Sequence, residues 1–379
     1  MVNSSENGSS VKCLSFPLSR VRYVTPPDAV SSQMLVTGSW MDKVNRLCLW
    51  QYGCGHLIDS GQFQPVSEQE DDVAPGVIGD SLDDPRLVHS LVHSGWVQDL
   101  KVHRPTEKIF TISSFGALQV FNFSSSGVPR LARATSSWIP FAPKFQVPYF
   151  QSIALSSLAL SADASHVFLG DDIGRLALVD VRRLPKNACL QTGDDITTVN
   201  ALERVDASLL ASVNQLGQLK IWDVRCGLRQ PQQRLLRPSY ARPLQCLAQH
   251  PGQPHLFAVG GEETAGVGAY LWDLRADQYP LTEVACGGGT VWELHFHPRQ
   301  PKHLYLATQT AGLLQISSRD DSGCWAGYKG SRKKLVMSSA LPPGTNARDV
   351  ISFDLSNTRL VCGHSDSVLH TVDCHVSVY

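Results

Sequence analysis

The chain has 379 residues, 42% of them hydrophobic and 18% charged, with a formal net charge of -1. That balance supplies a sizeable core and excludes a chain that is disordered throughout. It also argues against a duplex-binding surface, because affinity for nucleic acid rests mostly on clustered lysine and arginine.

The first residues, MVNSSENGSSVK, lack the charged-then-apolar pattern of a signal peptide. No run approaches the ~18 apolar residues of a membrane helix, and no lipidation motif is present. The expected setting is the cytosolic or nucleoplasmic side, where the ten cysteines stay reduced. Their placement agrees: Cys48, Cys246 and Cys362 sit inside apolar strand-like runs, and no CxxC pair occurs.

In chain order, VKCLSFPLS (residues 11–19) reads as a lone strand. One pattern then recurs seven times: an apolar run, a small or polar turn, and a second apolar run ending in an aromatic or apolar residue. The copies span residues 35–50, 109–121, 167–179, 209–222, 256–272, 304–317 and 360–372. Their last residues are 43 apart at the closest (Val179 to Trp222) and 71 at the widest (Trp50 to Phe121). Each copy reads as a β-hairpin, since its runs are short, rich in Val, Leu and Ile, and separated by turns that mostly carry glycine. A further short strand precedes several of them, at residues 96–103, 243–251, 291–298 and 349–356. One more strand from the next linker makes a four-stranded sheet. Such a sheet is apolar on both faces and gains stability by stacking on two neighbours. A ring of seven also leaves no long open edge if the strand at 11–19 completes the last sheet.

Three segments interrupt the repeat. Residues 59–84 carry Asp59, Glu68, Glu70, Asp71, Asp72, Asp80, Asp83 and Asp84 and no Lys or Arg, the pattern of a solvated loop or an acidic tether for a basic partner. Residues 127–149 place Trp138, Phe141, Phe145 and Tyr149 among four prolines. These aromatics are candidate protein contacts, because aromatic residues supply most interface hot spots, and they equally suit a cap on the molecule's own core. Residues 318–347 hold Arg332, Lys333 and Lys334 beside Trp325 and Tyr328, a short basic run of the kind found on solvated faces.

The search for chemistry finds no Gly-x-Ser-x-Gly elbow, His-Glu-x-x-His helix or phosphate loop. Gly287-Gly288-Gly289-Thr290 lacks the lysine and helix of a phosphate cradle and reads as a turn. His295 and His297 alternate on a strand and share a face, a spacing that suits a metal, but no third ligand is evident. His364-Ser365-Asp366 contains triad residue types that neighbours in one turn cannot arrange as a relay. No catalytic residue, cofactor or metal is expected, and the chain reads as a binding scaffold.

The boxes Trp222-Asp223-Val224-Arg225 and Trp272-Asp273-Leu274-Arg275, with a weaker copy at Trp50, make the repeat resemble the WD type. The resemblance implies an all-β fold: a single closed seven-bladed WD40-type β-propeller over residues 1–379, its N-terminal strand completing the last blade, with insertions at about 55–90, 127–150 and 318–347. The Gly-His pair that usually precedes the first strand in this family is mostly missing, so its Trp-Ser-His-Asp hydrogen-bond network is expected to be incomplete.

Residues 36–50, 212–225, 291–304 and 360–363 resemble the WD-repeat nucleoporins of the Y-shaped outer-ring complex of the nuclear pore. That resemblance implies a structural subunit docked on an α-solenoid nucleoporin of the short arm, serving pore assembly and transport of RNA and protein, with kinetochore association in mitosis. It implies no direct contact with nucleic acid, no membrane insertion and no obligate homo-oligomer. The alternative comes from the boxes ending at Arg225 and Arg275, which resemble those of substrate receptors for cullin-RING ubiquitin ligases. Arginines there equally pair within their own blade.

Overall fold

The computed structural model describes residues 9–25, 33–52, 84–124, 129–134, 137–141, 153–184, 189–195, 197–236, 242–275, 279–287, 289–318, 325, 335–341, 349–356 and 359–373. Its strands form seven four-stranded antiparallel sheets. Blade one takes Leu18–Tyr23, Gln33–Ser39, Arg46–Tyr52 and Arg86–Val92, from the inner strand outward, and blade two takes Val97–His103, Lys108–Ser113, Leu118–Ser124 and Arg130–Arg133. Blade three is Leu155–Leu160, His166–Asp171, Arg175–Asp180 and Cys189–Asp194, and blade four is Val199–Arg204, Leu209–Asn214, Gln218–Asp223 and Gln233–Leu236. Blade five is Leu244–His250, Gln253–Thr264, Val267–Asp273 and Thr282–Ala285, and blade six is Val291–Phe296, His303–Thr308, Leu313–Ser318 and Leu335–Ser339.

Blade seven closes the ring. Its inner three strands are Val350–Leu355, Arg359–His364 and Val368–Asp373, and its outer strand is Ser9–Cys13, with Ser9 opposite Val372 and Cys13 opposite Val368. The strand expected over residues 11–19 is therefore two strands. Pro17, which has no N–H to give a ladder, stands just before Leu18–Tyr23, the inner strand of blade one. The second and third segments set apart as insertions contain their blades' outer strands, Arg130–Arg133 and Leu335–Ser339, and the first runs into that of blade one, Arg86–Val92. These are short or half-exposed, so little apolar patterning marks them.

Each inner strand packs against the inner strands of the blades on either side, all the way round. Seven apolar clusters result, one at every blade-to-blade interface. The residue that closes each third strand points at the preceding blade: Trp50 against blade seven, Phe121 against blade one, Trp222 against blade three and Trp272 against blade four. Contact is close enough that a Cβ at Gly38 or Gly170 would overlap Val97 or Val199 of the next blade. Stability therefore lives between sheets, as expected where a lone sheet cannot shield either face.

Candidate protein-contact surface

On one face of the ring every blade repeats the same backbone bond. The residue at or near the turn end of the second strand donates its N–H to the carbonyl just ahead of the inner strand. The pairs are Trp40 to Pro17 (3.2 Å), Ser114 to Trp96 (3.1 Å), Asp172 to Ala154 (3.2 Å), Gln215 to Thr198 (3.2 Å), Glu262 to Pro243 (3.0 Å), Gln309 to Thr290 (2.9 Å) and Ser365 to Asp349 (3.1 Å). These seven clamps tie the loops of this face to the blades.

In blades two, three and four the turn beside the clamp has one construction: Ser113-Ser114-Phe115-Gly116, Asp171-Asp172-Ile173-Gly174 and Asn214-Gln215-Leu216-Gly217. The glycine N–H returns to the first carbonyl at 3.0, 3.2 and 3.1 Å. The first side chain caps the turn twice. Ser113 Oγ accepts from Phe115 and Ala117, both at 3.2 Å. Asp171 Oδ1 accepts from Ile173 (3.1 Å) and Arg175 (2.7 Å), and Asn214 Oδ1 from Leu216 (3.1 Å) and Gln218 (3.0 Å). The glycines lie at φ +73°, +94° and +73°, and a Cβ on any of them would strike a carbonyl oxygen of the following loop, at Ile153, Asp195 or Arg242. Each tip is thus fixed, and its apolar side chain is left in water: Phe115 is 55% exposed, Ile173 55% and Leu216 42%.

Met41 and Val44 in blade one's turn, Trp96 beside Phe115, and Ile153 extend the exposed apolar arc over four blades. At the corresponding turns blades five to seven present Glu262 and Glu263, Gln309 and Thr310, and Ser365 and Asp366. The Arg242–Glu262 ion pair (2.5 Å) marks the border between the two halves. Beside Ile173, burial and then the neighbouring Asp171 raise the carboxyl of Asp172 above its ordinary range. A succession of exposed apolar tips bordered by polar ones marks a candidate contact face for another protein, and rigid tips lose little entropy on docking.

Two of the four anchors expected from the sequence, Trp138 and Phe141, lie next to this arc. Trp138 forms an antiparallel bridge with Leu118 (2.8 and 3.1 Å), and both Trp138 and Phe141 pack partly buried on the cluster between blades two and three. The Arg175 guanidinium lies 4.3 Å over the Phe141 ring, one residue past blade three's turn. Phe145 and Tyr149 fall outside the described residues, as do the acidic segment before Asp84 and the run Arg332, Lys333 and Lys334. Trp325 is buried between blades five and six, its Nε1 donating to the Pro301 carbonyl at 2.7 Å.

The signature residues work inside the blades. Trp50 Nε1 donates to Thr37 Oγ1 and Trp222 Nε1 to Ser212 Oγ, both at 2.9 Å. Asp223 accepts from the backbone (2.9 Å) and Nη2 (2.8 Å) of Arg225, and Asp273 from the same groups of Arg275 (2.9 and 2.7 Å). Asp180 and Arg182 repeat the turn in blade three. The hydrogen bonds from Arg225 hold the Asp223 carboxyl down at about 2. Parts of the family's buried network survive separately. In blade two His93 Nε2 meets Thr111 Oγ1 at 2.9 Å, and burial pushes that imidazole down to about 4. In blade four Asp195 binds Asn214 (3.0 Å) and Lys220.

His295 and His297 have separate tasks: His295 Nε2 meets Glu293 Oε1 at 3.2 Å, while His297 Nδ1 accepts from the backbone of Arg299 and Gln300 (3.2 and 3.1 Å). Glu293 also binds Arg22, and its Oε2 accepts from Phe353 N at 3.0 Å, so one carboxylate of blade six joins blades seven and one. Burial opposes its charge, but Arg22 and then His295 hold its titration well below the ordinary range.

The turn tips were not singled out from the sequence, although a signal is there. Where such a turn ordinarily takes Asp-Gly or Asn-Gly, this chain has Phe-Gly, Ile-Gly and Leu-Gly.

No protein-family model matches the chain. It is 27% identical over 360 residues to nucleoporin Nup43 of Homo sapiens, covering 91% of this chain and 86% of that protein. Nup43 of Mus musculus is 27% identical over 342 residues, covering 87% and 82%. The nuclear pore complex protein nup43 of Dictyostelium discoideum is 24% identical over 184 residues, covering 46% and 43%. These homologues are nucleoporins, and the seven blades agree with a WD-repeat nucleoporin.

Proposed function

We propose that this chain, a homologue of the Nup43 nucleoporins, is a structural subunit of the nuclear pore that binds other nucleoporins and performs no chemistry of its own. The observation that carries the reading is a likeness to Nup43 running over nearly the whole chain of a seven-bladed ring. In the finer form of the proposal the ring belongs to the Y-shaped outer-ring complex and docks on an α-solenoid subunit of its short arm. It thereby serves pore assembly and passage of RNA and protein at the nuclear envelope, and it accompanies the complex to kinetochores in mitosis. In this proposal the docking face is the apolar arc of blades one to four, with Trp138 and Phe141 as anchors at its rim. A contact of standard size needs about 800 Å² from each partner, and the clamped tips are already ordered for docking.

Affinity purification of the tagged full-length chain from interphase and mitotic cells tests the reading. Nucleoporins with a solenoid subunit among them are the expected companions in both, with kinetochore proteins joining in mitosis. Recovery of a cullin-RING adaptor and no nucleoporin would overturn it. Arg225 and Arg275, the residues that suggested the ligase alternative, are each engaged by the aspartate two positions earlier.

A further inference from the structure

We propose that Cys362, His364 and His370 form a buried zinc site in blade seven. Cys362 and His364 are two apart on the strand Arg359–His364, so their side chains leave the same face. His370 stands directly opposite Cys362 on the next strand, which puts all three on one face of one hairpin. One ligand atom from each lies within 4.8 Å of the others. Cys362 Sγ is 3.5 Å from His364 Nε2. Zinc bound to sulfur at ~2.3 Å and to imidazole nitrogen at ~2.0–2.1 Å in a tetrahedron sets that edge at about 3.5 Å.

The other blades show what these positions ordinarily hold. In blade two they carry Thr111, Ser113 and Gln119, with His93 completing a hydrogen-bond network. In blade four they carry Ser212, Asn214 and Lys220, where Asp195 binds the last two. At the three strand positions blade seven carries one thiol and two imidazoles, the ligand types that zinc favours. All three are buried, and His370 Nε2 has no hydrogen-bond partner. On binding, the Cys362 thiol passes its proton to solvent and the sulfur ligates as thiolate beside two neutral imidazoles. Among the described residues no fourth Cys, His, Asp or Glu joins the group.

The test uses the full-length chain, reduced and stripped with chelator, then titrated with zinc alone and separately with cobalt as a spectroscopic stand-in. One equivalent should bind. The cobalt form should show a thiolate charge-transfer band with the intense visible bands of a tetrahedral ion. Cys362→Ser and His370→Gln should each weaken zinc at least ~10–100-fold, while Cys246→Ser, a buried cysteine of blade five, should leave binding intact. Failure of the wild-type chain to take up zinc, or binding unchanged by Cys362→Ser, would overturn the site. If the variants do not fold, the wild-type cobalt spectrum decides, and a spectrum without the thiolate band overturns it.

Discussion

Trp222→Ala tests the claim that the ring is held together between blades. Trp222 is 0% exposed, packed on Ala159, Phe168, Leu176 and Leu178 of blade three and on Leu202 and Leu210 of its own blade. A buried indole removes roughly 150–250 Å² from water, which at ~25 cal/mol per Å² is worth roughly 4–6 kcal/mol. Alanine keeps a small part of that, and the cavity left behind adds a term of its own, so the expected loss is about 3–5 kcal/mol. The orphaned Ser212 hydroxyl, now 2.9 Å from nothing, adds about 1 kcal/mol. Trp222→Phe separates the two contributions, since it keeps most of the ring and loses the N–H, and should fall near the hydrogen-bond figure. The assay is urea unfolding at constant slope, so that the midpoint shift reports stability alone. A loss below ~1 kcal/mol for Trp222→Ala would mean that the indole does not wedge two blades, and the stacking account of this fold would fail with it.

Three further outcomes are expected. Deleting residues 1–13 removes the strand paired with Val368–Asp373 and should lower the melting temperature by at least ~5 °C; an unchanged melt would contradict closure by that strand. Replacing Phe115, Ile173 and Leu216 together by serine should leave the melt within ~2 °C while nucleoporin recovery falls at least ~30-fold, as for a hot-spot cluster; full recovery would move the docking face elsewhere. His93 titrates at about 4 in the folded chain against 6.5 when unfolded, so the unfolded chain takes the proton first. Stability is then full above pH 6.5 and is lost as pH falls toward 4, by about 2 kcal/mol between pH 7 and 5. His93→Gln should flatten that slope, as read by urea midpoints at the two pH values, and an unaltered slope would refute the assignment.

The hairpins were legible because their apolar runs meet water on neither face and so read as short continuous blocks. The inner strands of blades one, three and four, Leu18–Tyr23, Leu155–Leu160 and Val199–Arg204, were not singled out, and in blade three Ser156 and Ser157 interrupt the apolar run. Those of blades one and four carry Arg20, Arg22, Asn200, Glu203 and Arg204, of which Arg20, Arg22 and Asn200 bond across to other blades, and these charged and polar residues hide the strand pattern. The N-terminal strand was found with its ends misplaced, because its ladder runs over Ser9–Cys13, whereas Leu14 and Phe16 carry the apolar pattern on to Leu18, where the inner strand of blade one begins. Trp138 and Phe141 were legible as notable aromatics, but their partial burial on blades two and three depends on a bridge to Leu118 that spacing does not reveal. The Cys362, His364 and His370 group needs the register of two strands, whereas the sequence drew attention to His364-Ser365-Asp366, a turn.

Pairing Ser9 with Val372 places the first and last described strands in one sheet, roughly 360 positions apart. At ribosomal speeds of ~5–20 residues per second, the early strand waits roughly 20–70 s for its mate to be made. Throughout that interval the nascent molecule is an open crescent with two raw sheet edges, the state most prone to sticking to its neighbours. A translation product that stops before Val368 lacks the strand that Ser9–Cys13 pairs with and has no means to seal itself.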